Sequence, residues 1–215
     1  MAVAHSTYLA VYAELGSLED ARRLAESSEL SYDALHSILS LKQLHLTKLN
    51  MRRHRENARG YVARYEAGES IIDLSTREGI SPTIMARLVL EERLGVRRGK
   101  EAGQLLKHVE QIEEERLRAQ VAAAVEADAF NGPYVDTVKR LVGIEYECVL
   151  QQKLMMSNVP FITEEEMRSR GDAKTPDALL TVPLLARGRV VNWIDSKATF
   201  GDPTSHAQYY ESQYR

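Results

Sequence analysis

The chain is poor in the residues that build crosslinked, low-complexity or membrane-spanning proteins. Its single cysteine, Cys148, excludes an internal disulfide framework and a cysteine-rich zinc module. Twelve glycines and six prolines among 215 residues are too few for a low-complexity linker. No apolar run approaches the ~18 residues that a membrane span needs, and the N-terminus lacks the features of a secretory signal. We therefore expect a soluble, intracellular protein with no membrane partner.

A large excess of one charge is also absent. The formal net charge is −3 and the sequence pI is about 6.1, so the molecule as a whole is not a polycation. Any contact with nucleic acid must therefore come from local basic patches. Hydrophobic residues make up 44% of the chain, and its length is enough for one large domain or two small ones.

Helices dominate the first two thirds of the chain, where apolar residues recur at three- and four-residue spacing. Two segments, about 17–48 and 70–94, each predict a shorter helix, a turn and a longer helix, which is the plan of a helix-turn-helix module. In the first module the longer helix is expected to end near Lys48, and Leu46 is expected on or near its apolar face. In the second, Gly79 permits a sharp turn and Ser81 caps the next helix.

A clear break in the helical pattern occurs at Asn131-Gly132-Pro133. We place the domain boundary there, with a helical region over 1–130 and a second domain over 131–215. Pro133 is expected to start a long helix that runs to about Met156. Six apolar residues of that helix are predicted to form its buried side: Val138, Leu141, Val142, Val149, Leu150 and Leu154.

Two groups of basic residues are candidates for contact with nucleic acid. The first group is Lys48, Arg52, Arg53 and Arg55, with Lys42, Arg59 and Arg64 on either side. The second group is Arg87, Arg93, Arg97, Arg98 and Lys100. Such side chains neutralise phosphates and release counterions, while Thr83 or Arg87 would be placed to read bases. The alternative is a solvated helical face with intrahelical Glu–Arg pairs.

The C-terminal part of the chain predicts a β-hairpin that carries two acids and a lysine. Strands are expected at Asp177–Leu185 and Arg189–Thr199. Because side chains alternate faces along a strand, Asp195 and Lys197 should point the same way. Asp177 should come alongside from the first strand, and Thr175 is a candidate for orienting it.

Two carboxylates and an ammonium on one face are what metal-assisted cleavage of a phosphodiester needs. Carboxylates hold a hard divalent cation, here Mg²⁺ or Mn²⁺, which stabilises phosphoryl charge and activates a bound water. We therefore predict a site in which Asp177 and Asp195 bind the metal and Lys197 serves the attacking water. The alternative is an edge hairpin with a solvated salt bridge.

The residues of this hairpin resemble those of a known nuclease group. Pro176-Asp177 with Asp195-Ser196-Lys197 resembles the signature of the PD-(D/E)xK superfamily. The flanking residues Thr175–Leu180 and Trp193–Asp202 closely resemble the codanin-interacting nuclease family, as do residues 81–91. The resemblance implies an α+β fold, in which a helical half with two helix-turn-helix modules precedes a PD-(D/E)xK restriction-endonuclease-like α/β core. It also implies a DNA substrate, including structured or branched DNA, a codanin-like partner, and a setting in the nucleus and cytoplasm.

Related folds take a further carboxylate from the helix before the hairpin, and Glu145 and Glu147 are the two candidates for this metal ligand. Glu147 lies three residues before Leu150 and seven before Leu154, beside the expected buried side of the helix. Glu145 is about 200° away around the helix, so both cannot point inward. The alternative for either residue is a solvated surface position.

The chain reaches Arg215 inside the helix expected after the second core strand, whereas family members resemble one another further along. We therefore expect the nuclease core to be incomplete. This favours a second hypothesis, a catalytically weak or inactive interaction protein that binds a codanin-like partner, with a role in erythroid differentiation in vertebrate relatives. A third hypothesis is a transcription-type DNA binder that uses only the helix-turn-helix pair.

Overall fold

The computed structural model of the chain describes residues 3–96 and 100–214, without the side chains of Thr204 and residues 212–214. The helices are α1 (His5–Glu14), α2 (Leu18–Ser27), α3 (Tyr32–Glu56), α4 (Ala58–Glu66), α5 (Ile71–Glu78), α6 (Pro82–Leu94), α7 (Lys100–Lys107), α8 (Glu115–Ala127), α9 (Pro133–Met156), α10 (Glu164–Arg170) and α11 (Pro203–Tyr214). The strands are β1 (Phe161–Thr163), β2 (Ala178–Ala186) and β3 (Arg189–Ile194). The expected α+β class is confirmed, while the PD-(D/E)xK core remains a prediction.

The described residues form two compact units. The first combines residues 3–96, 100–136 and 200–214, and the second is Thr137–Thr199. The first unit has two hydrophobic clusters. One, from α1, α2 and the first half of α3, includes Tyr8, Leu15, Leu35, Ile38 and Leu39, with Phe200 packed against it. The other, from α4 to α8, includes Tyr65, Leu74, Met85, Leu90 and Leu117.

The helix pair α2–α3 occupies the first predicted module. The hydroxyl of Ser17 accepts a hydrogen bond from the backbone N–H of Asp20, so Ser17 caps α2 as its position suggests. The predicted end of α3 is wrong, because the helix continues past Lys48 to Glu56, through residues that include no glycine or proline. Leu46, which the pattern places on or near the apolar face of α3, is exposed.

The helix pair α5–α6 occupies the second predicted module. Gly79 ends α5 in the left-handed conformation, with φ of 63°, and the hydroxyl of Ser81 caps α6. The first turn of α6 is enclosed by the loop after α8, because the carboxylate of Asp128 accepts the N–H of Thr83 at 3.0 Å. Thr83 is 1% exposed, so the expectation that it reads bases is wrong in this arrangement.

The second unit contains a three-stranded antiparallel sheet in the order β1-β2-β3. The β2–β3 hairpin turns through Arg187 and Gly188, whose φ angles of 49° and 74° are those of a tight two-residue turn. Leu154 of α9 packs with Ala178 and Leu180 of β2 to form the small core of this unit.

The predicted buried side of α9 is largely wrong. Leu154 is buried and Leu150 packs against the same cluster, but Val138, Leu141 and Val149 are exposed. Apolar residues occur on more than one side of this helix, so periodicity alone does not select the side that packs. Only the C-terminal part of α9 contributes to the small core built on the sheet.

Candidate active site

The sheet register brings the predicted hairpin residues to one end of the second unit. Ala178, the first residue of β2, pairs with Ile194, the last residue of β3. Asp177 therefore immediately precedes the paired segment on one strand, and Asp195 immediately follows it on the other. The predicted extension of the second strand to Thr199 is wrong, because β2 has no residue left to pair with those beyond Ile194.

A backbone contact fixes Asp177 against the segment after β3. Its Oδ2 accepts a hydrogen bond from the backbone N–H of Ser196 at 2.6 Å. The carboxylate thus replaces the strand partner that this N–H lacks. This hydrogen bond was not predictable from the sequence, because every residue except proline carries the same backbone N–H and the residue type does not show what that group will bond.

Asp195 and Lys197 meet although neither lies in a strand. The ammonium of Lys197 forms an ion pair with Oδ2 of Asp195. The side chain of Asp195 is 15% exposed and that of Lys197 is 37% exposed, so the acid is the more enclosed partner. The pair therefore presents a lysine at the rim of the site, with an acid behind it.

The environment of Asp177 disfavours its charge. Burial is the main cause that raises the pKa of Asp177 to about 6, and the negative charges of Asp195 and Glu147 raise it further. The N–H of Ser196 and the ammonium of Lys197 act in the opposite direction but do not cancel these effects. The carboxylates of Asp195 and Glu147 and the ammonium of Lys197 therefore lie within electrostatic range of Asp177 at this end of the sheet.

The two glutamates of α9 are in different environments. Glu147 is half-buried and its charge acts on Asp177, whereas Glu145 is exposed. This is the difference expected for residues about 200° apart around a helix whose inner side carries Leu150 and Leu154. Glu147 is accordingly the acid of this helix that lies nearer the site.

Thr175 contacts Glu164, a residue that is not among those predicted for the site. Its hydroxyl donates to Oε1 of Glu164 at 3.5 Å, and Glu164 also pairs with Arg168 at 2.5 Å. Glu164 begins α10, which is fixed by a capping box between Thr163 and Glu166. The start of this helix therefore contacts the segment that carries Asp177 through Thr175.

Comparison with known proteins relates this site to one family. A family profile described as "Protein of unknown function TPD sequence-motif" matches residues 113–215, which include Thr175-Pro176-Asp177. The chain is 35% identical over 198 residues to CDAN1-interacting nuclease 1 of Xenopus laevis, a match that covers 86% of this chain and 65% of the relative. It is 33% identical over 198 residues to CDAN1-interacting nuclease 1 of Homo sapiens, covering 86% and 70%.

The chain belongs to the CDAN1-interacting nuclease family. The family resemblance predicted from the hairpin residues is thus confirmed. The chain spans about two thirds of the length of the relatives just named. No solved structure matches it significantly. Among the described residues, no helix combines the length and the apolar content needed to cross a membrane.

The fit of this site to the expected metal can be judged from its donors. Carboxylate oxygens of Asp177, Asp195 and Glu147 are of the kind that Mg²⁺ and Mn²⁺ prefer, and a cation would offset the two negative charges that act on the half-buried carboxyl of Asp177. Within residues 3–96 and 100–214, no group of three or more His, Cys, Asp or Glu side chains is placed to hold a metal ion. The carboxylate donors are therefore chemically suited to the ion but are not placed together around one point. To bind the metal, Asp195 would also have to give up its ion pair with Lys197.

The first basic group lies on α3 and α4. Lys48, Arg52, Arg53 and Arg55 are all exposed, and Arg52 pairs with Glu56 at 2.9 Å. Lys42 is already used within the fold, because its Nζ donates to the carbonyl oxygens of Tyr12 and Leu15 at 2.7 Å each, at the end of α1. The basic surface of α3 therefore consists of the four exposed residues from Lys48 to Arg55.

The second basic group is less available. Arg87 is half-buried, and its Nε is buried without a hydrogen bond. Arg93 pairs with Glu114 and Glu66 and lies over the ring of Tyr65. Arg97 and Arg98 lie outside the described residues. Of this group, half-buried Arg87 and exposed Lys100 remain candidates for nucleic-acid contact.

Proposed function

We propose that the protein is a metal-dependent nuclease that hydrolyses phosphodiester bonds in DNA, including branched DNA, and that it associates with a CDAN1-type protein. The names of the relatives support both the nuclease activity and the partner. The observation that carries the catalytic part is the convergence of Asp177, Asp195 and Lys197 at one end of the sheet, with Glu147 in electrostatic range. A setting in the nucleus and cytoplasm belongs to the same proposal.

The residues have distinct roles in this proposal. Asp177 and Asp195, helped by Glu147, would hold Mg²⁺ or Mn²⁺. The bound ion would supply charge stabilisation at the phosphoryl group and a water of lowered pKa. Lys197 would exchange its bond with Asp195 for one with the attacking water or a phosphate oxygen, where its positive charge offsets developing negative charge. The N–H of Ser196 would keep Asp177 in place throughout.

The metal part of the proposal is tested by calorimetry with Mg²⁺ and Mn²⁺, and by cleavage of labelled flapped and branched DNA. The wild-type chain is expected to bind the ion and to cleave, while the Asp177→Asn/Asp195→Asn double variant does neither. Glu147→Gln should lower cleavage by at least about tenfold, whereas Glu145→Gln, on the exposed side of the same helix, should not. Because phosphate oxygens can complete a metal shell, a negative titration is repeated with uncleavable DNA. Equal effects of the two glutamine variants would remove Glu147 from the site.

The basic surface of α3 gives a separate prediction about affinity. Replacing both Arg52 and Arg53 with alanine is expected to weaken DNA binding and to lower the slope of log K against log salt concentration by about 2, because each arginine neutralises one phosphate. Cleavage at saturating DNA should stay near the wild-type rate. Fluorescence anisotropy at several salt concentrations measures the slope.

The matched control for this pair is Arg22→Ala/Arg23→Ala, which removes two adjacent, exposed arginines from α2. It should leave the salt dependence nearly unchanged. A similar reduction of the slope in both double variants would indicate that net charge, rather than the surface of α3, determines the affinity.

A second candidate function is an interaction protein without turnover. The arrangement of the site favours it in one respect. The carboxylates of Asp177, Asp195 and Glu147 are not placed together to hold a metal ion, and the ammonium of Lys197 is paired with Asp195. This alternative predicts tight binding of a CDAN1-type partner that Asp177→Asn does not change. It also predicts no metal-dependent cleavage of any of the DNA substrates above.

A further inference from the structure

The long helix α9 carries an exposed apolar face, here called the outward face. Its exposed apolar residues include Leu141 and Ile144, three apart, and Met155, fourteen after Leu141, which lies near the same side. They are 55%, 45% and 61% exposed. Val138 and Val149 widen the face, and both are also exposed. Large apolar side chains that cluster in this way mark interaction sites more often than single exposed ones do.

The outward face is distinct from the side of α9 that packs in the second unit. Leu150 lies nine positions after Leu141, which is about two and a half helical turns, so the two side chains leave opposite sides of the helix. Leu150 and Leu154 pack with the strands, and Glu147 lies on their side near Asp177. A ligand on the outward face would therefore not compete with substrate for the carboxylates.

The chemistry of the outward face favours protein over nucleic acid. Among positions 138, 141, 144, 145, 148, 149, 152 and 155, which lie on or near this face, no residue is lysine or arginine. Nucleic-acid surfaces depend on such cations. The one charged residue of the set is Glu145, which is exposed and surrounded by apolar neighbours. An amphipathic helix with apolar residues at three- and four-residue spacing and one basic residue is complementary to this pattern.

We propose that the outward face of α9 is the docking surface for the CDAN1-type partner, which contributes an amphipathic helix whose lysine or arginine meets Glu145. The proposal rests on the proposed association with such a protein, which the names of the relatives support. It places partner binding and DNA cleavage on opposite sides of a single helix.

The test measures binding of the full chain to purified human CDAN1 by calorimetry, with the human relative as a positive control for the probe. Leu141→Glu and Met155→Glu each place a charge on the outward face and should raise the dissociation constant by at least about tenfold. Leu49→Glu is the matched control, because Leu49 is 79% exposed on α3, in the other unit, and its variant should bind as wild type does. Circular dichroism should show the same helix content in all four proteins.

The possible outcomes distinguish an incorrect docking surface from an incorrect partner. Wild-type binding that both α9 variants retain would overturn the docking surface and leave the proposed partner intact. No binding by the wild-type chain would overturn the partner itself, and the surface with it, without bearing on cleavage. Sedimentation of the chain alone tests whether a second copy of the chain binds the outward face. A wild-type dimer that Leu141→Glu converts to a monomer would assign the face to that second copy and overturn the proposal.

Discussion

Replacing Lys197 with methionine is expected to slow DNA cleavage by roughly 10²- to 10³-fold, the effect typical of removing one electrostatic stabiliser of a transition state. Methionine keeps an unbranched side chain of similar length, so the change removes the charge while largely preserving the packing. The DNA dissociation constant should change by no more than about twofold, since one cation at the rim contributes little beside the basic surface of α3. Single-turnover cleavage and anisotropy measure the two quantities separately.

The control for Lys197 is Lys153→Met, which removes an exposed lysine from the last turn of α9 and leaves the site intact. It should cleave at the wild-type rate. Lys197→Met and Arg52→Ala/Arg53→Ala together distinguish catalysis from binding. Lys197→Met should lower the cleavage rate and keep the DNA affinity, whereas the double arginine variant should lower the affinity and keep the rate. Parallel decreases of rate and affinity in both variants would contradict this division of labour.

Much of the helical half was predictable because its signals are local. A serine before an acidic first turn marks the start of α2, and Gly79 with Ser81 marks the turn between α5 and α6. Each signal depends on backbone groups within a few residues. The end of α3 was missed because no local signal stops the helix before Glu56, so its length is set by propensity through an exposed stretch.

The positions of the candidate site residues were predictable from the sequence, but their geometry was not, and their roles stay predictions. Asp177, Asp195 and Lys197 were found from their spacing around a hairpin, and the register of Ala178 with Ile194 brings their segments to the same end of the sheet. The predicted strand was wrong for Asp195 and Lys197, which follow the last paired residue, although their ion pair agrees with the expectation that they point the same way. They meet through an ion pair in an irregular segment, which no periodicity describes.

Burial across the chain was the least predictable feature. Thr83 lies at a position where recognition helices present side chains, yet Asp128 from a loop 45 residues later encloses it. Leu141 fits a buried stripe of α9, yet it lies opposite the residues that pack with the strands. Both outcomes depend on contacts distant in sequence, and apolar spacing within one helix carries no information about them.

Replacing Asp177 with asparagine is expected to abolish metal-dependent cleavage and, at neutral pH, to stabilise the fold. The pKa of this carboxyl is raised from 3.8 to about 6, chiefly by burial and then by Asp195 and Glu147, so the folded state disfavours its charge. Its contribution to stability is complete below pH 3.8 and is lost as pH rises through about 6. Asparagine carries no charge at any of these pH values, and its amide oxygen can still accept the N–H of Ser196.

Thermal unfolding between about pH 4 and 7.5 measures this effect. The Tm of Asp177→Asn should exceed that of wild type by about 1–3 °C near pH 7.5, after the shift is discounted for solvent screening at a half-buried carboxyl, and the difference should vanish near pH 4. Asp172→Asn, an exposed acid in the preceding loop, should show no such pH-dependent difference. Mg²⁺ should raise the Tm of wild type but not of Asp177→Asn, because only the carboxylate contributes a charged ligand. An Asp177→Asn variant less stable than wild type at neutral pH would mean that the attraction of Lys197 outweighs burial. In that case the acids and the lysine would form a structural salt bridge, and the cost of burying Asp177 would no longer point to a cation site.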